Sequence, residues 1–164
     1  MKRTNKLIIS WLAVIIVVIG IGIVLNKNSS SNKFSNSYLS SKSDGEKSFV
    51  CKTNDKSTNN SESFDFSRFD GKWSLMEINS PKNNKITIND NTKISKGKFY
   101  VVVLDPNYNI ITKTESNEKT NLNFTTPKDG KYIIRIVGQK AKGNFNIKVN
   151  STSNIVVNHK DIFD

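Results

Sequence analysis

The chain has 164 residues, a formal charge of +11 and one cysteine, Cys51, so one domain of ordinary size is expected once any targeting segment is subtracted. A disulfide framework and a cysteine-rich metal site are excluded. Basic residues number nine against three acidic ones over residues 1–59 and sixteen against eleven beyond, scattered singly over turns and strands, which argues against a nucleic-acid partner.

Residues 1–6 carry Lys2, Arg3 and Lys6 as a basic flank, and residues 7–25 are nineteen uncharged residues dense in Ile, Val and Leu. At ~1.5 Å per residue such a helix reaches about 28 Å, close to the hydrocarbon thickness of a bilayer. The segment therefore reads as a membrane anchor with its N-terminus inside, making the membrane a partner through residues 7–25 and placing the rest outside the cell. Gly20 and Gly22 leave a cleaved signal peptide, and hence a secreted protein, as the alternative. Residues 26–63 are rich in Ser, Asn and Lys, with Phe34, Tyr38, Leu39, Phe49 and Val50 scattered among them. That composition reads as a disordered linker carrying Cys51 as an exposed thiol.

From residue 64 to 158 short apolar runs are cut by turn residues. Phe64, Phe66 and Phe69 lead to Asp70-Gly71, and residues 72–78 read as a strand whose apolar face changes between Leu75 and Met76, implying a bulge or cover on both sides. Ile86 and Ile88 alternate. Residues 99–104 are the most apolar run and are expected to be central. After Asp105-Pro106-Asn107 come residues 108–114 and then the alternation of Leu122 and Phe124. Residues 126–149 read as a complete hairpin: a turn at Asp129-Gly130, one strand with Tyr132, Ile134 and Ile136 facing inward, a connection over 139–143, and a second strand with Phe145, Ile147 and Val149 inward. Ile155, Val156 and Val157 make an edge strand, and residues 159–164 a tail. With strands at short spacing and no amphipathic helix, the fold class is all-β, an antiparallel β-sandwich of jelly-roll kind, preceded by one N-terminal transmembrane helix and a flexible linker.

The run Asp129-Gly130-Lys131-Tyr132 with Ile134, Ile136, Gly138, Gly143, Phe145, Ile147 and Val149 resembles the closing hairpin of the bacterial pre-peptidase C-terminal domain. Val101-Val102-Val103-Leu104-Asp105-Pro106-Asn107 is similar to that family's central strand and turn. The resemblance covers about residues 70–150 and implies an extracytoplasmic, non-catalytic β-sandwich that accompanies secreted enzymes. Here a membrane segment stands where the family has a peptidase.

The chemistry-bearing residues support binding rather than catalysis. His159, the one histidine, sits in the tail with no matching Ser or Cys signature. Asp65, Asp70, Asp90 and Asp105 lie at turns, where Asp bonds its own backbone, and Glu77 lies within a strand. Asp105-x-Asn107-x-Asn109 imitates a calcium loop but has Ile110 and Ser116 where Gly and Glu are needed. No catalytic, cofactor or metal residues are expected. Trp73, Tyr100 and Tyr108 are the candidate ligand-facing aromatics, able to stack on sugar rings, with Tyr132 a further aromatic of the same pattern. The expected function is a membrane-anchored, non-catalytic module binding a protein or cell-wall component, with a surface carbohydrate-binding module as the alternative and a small secreted hydrolase behind it.

Overall fold

A computed structural model describes residues 33–116 and 119–162; the basic flank, the expected membrane segment 7–25 and the start of the expected linker lie outside this range. The described residues form nine strands, all paired antiparallel: β1 (Ser48–Val50), β2 (Thr53–Thr58), β3 (Ser61–Ser80), β4 (Lys85–Asp90), β5 (Lys93–Leu104), β6 (Ile110–Glu115), β7 (Thr120–Thr125), β8 (Gly130–Ser151) and β9 (Val156–His159). The fold is all-β and antiparallel, as the alternation of apolar residues requires.

β3 and β8 organise it. They pair along their whole lengths, from Ser61 opposite Lys148 to Ser80 opposite Gly130. Where β3 opens and β8 closes, β2 and β4 flank the pair and β7 follows β4. At the other end the pair is flanked by β9 and by β5, with β6 beyond it. The expected hairpin over residues 126–149 is therefore not formed: both of its strands belong to β8, and residues 139–143 bend the strand without reversing it. The reason lies at Gly138, where a Cβ would stand 2.5 Å from Phe69 Cδ1. This glycine admits a close approach of β3, a use that looks the same in sequence as a turn.

The core follows the alternation. Tyr132, Ile134, Ile136, Phe145, Ile147 and Val149 of β8 pack with Phe64, Phe66, Trp73, Met76 and Ile78 of β3 and with Phe99, Val101 and Val103 of β5. The register of β3 slips between Ser74 and Met76, and this bulge resets the alternation so that Trp73, Met76 and Ile78 all reach the core instead of splitting between faces. At one end Phe49, Phe64, Phe66, Phe69, Trp73, Phe99 and Phe145 form a continuous aromatic cluster with centroid separations between 4.9 and 6.5 Å. Burying each such ring contributes ~1.5–3 kcal/mol.

Two boundaries differ from expectation. The folded unit begins at Asn36 and not at residue 64. Phe49, read as part of a linker, belongs to the aromatic cluster; the helical turn Asn36–Leu39 brings in Leu39, which is fully buried, and β1 and β2 pair with β3. The tail is likewise folded. His159 lies in β9, Ile162 is buried against the core, and the buried indole N–H of Trp73 finds its acceptor in the Asp161 carbonyl at 3.2 Å. A buried polar group needs such a partner, and the chain end supplies it.

Candidate functional site

Trp73, Tyr100 and Tyr108 do not converge. Trp73 is a core residue. Tyr100 donates its hydroxyl to Glu115 Oε2 at 2.7 Å, and burial together with that carboxylate pushes its pKa up to about 12. Tyr108 alone borders a cleft. His159 is bound through Nδ1 to Glu62 at 2.8 Å, and Glu77 takes Lys131 and Lys160 at 2.9 and 2.8 Å. Asp105 accepts the N–H groups of Asn107 and Asn109 at 2.7 and 2.8 Å, as a turn aspartate does.

One concavity was missed by sequence reasoning because it contains no aromatic ring. It is a groove of about 770 Å³ lined by the residues Asp65, Asn91, Thr92, Lys93, Lys119, Asn144 and Asn146, whose stems supply much of its surface. Asp65 and Asn144 are direct partners across the β3–β8 ladder, and Asn146 lies two residues further along β8, so by alternation all three project away from the core residues Phe64 and Phe145. The groove's polar groups are positioned by one another. Asp65 accepts the side-chain amides of Asn54 at 2.5 Å and Asn144 at 2.7 Å, and these bonds hold its carboxyl below the usual range.

The wall formed by residues 91–93 is equally determined. Buried Asp90 accepts the Thr92 N–H at 3.0 Å and the Ser116 hydroxyl at 2.6 Å. Asn91 donates its N–H to the Asn146 carbonyl at 2.8 Å, and Asn146 donates its own to Thr92 Oγ1 at 3.2 Å. The Asp65 carboxylate and Asn144 amide, fixed by each other, together with Asn91, Thr92, Asn146 and two lysines, make a surface with donors and acceptors for a hydroxyl-rich ligand.

The second concavity lies on the opposite half of β8, beneath residues 36–47, which form a strap across the sheet. Under the strap Arg135 is fully buried and Lys72 nearly so. Arg135 donates to the carbonyls of Leu39 and Ser41 and to Ser74 Oγ, and pairs with Asp44 at 3.3 Å. Lys72 donates to the Tyr38 carbonyl at 2.8 Å and to Ser41 Oγ, with its ammonium 4.3 Å from the Tyr38 ring centre. Burial lowers the pKa of both cations. Backbone carbonyls supply the compensation that buried charge demands. Between strap and sheet opens a cleft of about 310 Å³ that includes Lys42, Asp44, Lys47, Tyr108 and Lys160.

No protein-family model matches the chain, and no curated protein matches it. Among solved structures it is similar to TmCBM61, a carbohydrate-binding module solved in complex with β-1,4-galactotriose. The identity is 15%, the match covers 70% of this chain and 69% of that one, and the TM-score is 0.32. A likeness of that size carries no argument about the ligand.

Proposed function

We propose that the protein is a non-catalytic binding module held at the outer face of a bacterial membrane by residues 7–25, and that it takes a glycan chain of the cell envelope in the Asp65–Asn144–Asn146 groove. The observation that carries this reading is the groove itself: an open channel on the outward face of two long strands, furnished with an Asp65 carboxylate and an Asn144 amide that hold each other in place, and with Asn91, Thr92 and Asn146 beside them on a hydrogen-bonded backbone. Sugar hydroxyls both donate and accept, and Asn and Asp side chains answer both needs in planar, directional geometry. Retention of the purified full-length chain on insoluble cell-wall glycan tests the reading. Asn144→Ala combined with Asn146→Ala is expected to abolish retention, and undiminished retention of this variant refutes the assignment of the groove.

One observation favours a protein partner instead. Val156 is 60% exposed on β9, which among the described residues pairs with β3 alone, so a partner strand could add to that edge. Val156→Lys separates the two readings, because it blocks strand addition and leaves glycan retention intact.

A further inference from the structure

We propose that the cleft beside the strap is a second binding site, for an oxyanion group, phosphoryl or carboxyl, and that it acts independently of the glycan groove. Its charge balance points there. Asp44 is the acid of the cleft, and both of its oxygens are engaged: Oδ2 accepts the Ser74 N–H at 2.8 Å, while Oδ1 accepts the Ser74 hydroxyl at 2.8 Å and faces Arg135 at 3.3 Å. The buried guanidinium cancels this carboxylate from beneath. Lys160 is matched by Glu77 at 2.8 Å. Lys42 and Lys47 also line the cleft, and neither takes an ion pair among the described residues. A neutral ligand would leave that charge unanswered.

Tyr108 supplies the independent observation. Its backbone stands at φ +65°, a left-handed conformation that bulky residues avoid. The turn enforces it: Asp105 Oδ1 accepts the N–H groups of Asn107 and Asn109, the Asp105 carbonyl accepts the Tyr108 N–H at 2.9 Å, and Asn109 Nδ2 bonds Asp105 Oδ2 at 3.0 Å. Strain of this kind is tolerated where it aims a side chain at a task. The result is a ring set against the guanidinium, 5.9 Å from Arg135 Cζ, at the border of the cleft. The cavity, about 310 Å³, fits a ligand the size of one charged sugar or a short phosphodiester unit.

Calorimetric titration of the purified full-length chain with glycerol 2-phosphate, galacturonate and galactose tests the site. At least one of the two anions binds, its affinity falls as salt is raised, and galactose leaves the site empty; which anion binds tells a phosphoryl ligand from a carboxyl one. Lys42→Gln with Lys47→Gln weakens the anion about tenfold. Tyr108→Asn, which keeps a residue tolerant of the left-handed region, weakens it as well while leaving the melting midpoint unlowered. The groove variant Asn144→Ala/Asn146→Ala leaves anion affinity unchanged. Failure of both anions to bind, or equal affinity in the lysine variant and the parent chain, overturns the proposal.

Discussion

The two halves of β8 are buried by different physics. In the half around Phe145, Ile147 and Val149 one face is in the core and the other carries Asn144, Asn146 and Lys148 toward water, so alternation describes it completely. In the half from Tyr132 to Val137 every residue is buried. Its inner face meets the core, while its outer face holds Ile133, Arg135 and Val137, with Arg135 bonded to the strap and with Val102 and Leu104 of β5 alongside through direct pairing to Arg135 and Ile133. The comparison teaches that polar sequence can cover a sheet when its backbone carbonyls have a buried cation to accept from. The half left uncovered is the half whose outward face carries the groove of Asp65, Asn144 and Asn146.

Removing the cover breaks the contrast most strongly. Deletion of residues 36–63 takes away Leu39, Phe49, β1, β2, the start of β3 and, together with them, the Leu39 and Ser41 carbonyls and the Asp44 carboxylate that partner Arg135. The loss is expected to be of the order of the whole stability of a small domain, ~5 kcal/mol or more, and circular dichroism of the fragment 64–164 is expected to show no cooperative melt. A cooperative melt matching that of the fragment 36–164 would show the strap to be dispensable. Arg135→Ala comes next, at about 3–5 kcal/mol, because it strands the Asp44 carboxylate and the strap carbonyls without their cation. A solvated Arg135 would instead cost under ~0.5 kcal/mol, so a urea midpoint for this one variant decides whether the outer face is covered.

Ile134→Ala sharpens the inner side of the same strand, with an expected loss of about 2–5 kcal/mol from burial and cavity. Gly130→Val follows at roughly 1–3 kcal/mol, since Gly130 has φ +149° and its Cβ would stand 2.6 Å from Pro106 Cγ. Lys148→Ala, on the uncovered face, is expected to cost less than ~0.5 kcal/mol in the same urea melts. Equal midpoints for Ile134→Ala and Lys148→Ala would contradict the facing assigned to β8.

Much of the fold was legible because period two leaves its mark in single residues. Phe145, Ile147 and Val149, the buried run from Val101 to Leu104 and the face change after Leu75 were each readable, and each has its counterpart in the sheet. The continuity of β3 and β8 was not readable, because Gly71, Gly138 and Gly143 carry the same signal whether the chain turns or two backbones crowd together. The strap was hidden for another reason. Its hold depends on one apolar residue, Leu39, and on the carbonyls of Tyr38, Leu39 and Ser41, and a carbonyl is common to every residue. Of the candidate site, Trp73, Tyr100 and Tyr108 were all named for their rings, and only the ring of Tyr108 borders a cleft, since the core and Glu115 claim the other two. The groove had no signature at all: isolated Asn, Asp and Lys residues become a site only when the β3–β8 register and the turn at Asp90 bring them together.

Hydrogen exchange on the full-length chain, with and without soluble cell-wall glycan, tests the central claim most directly. Slowed exchange confined to amides of residues 91–93 and 144–146, with residues 133–137 unchanged, is the predicted result. Slowed exchange at β9 alone, or no change anywhere along the groove, would contradict it.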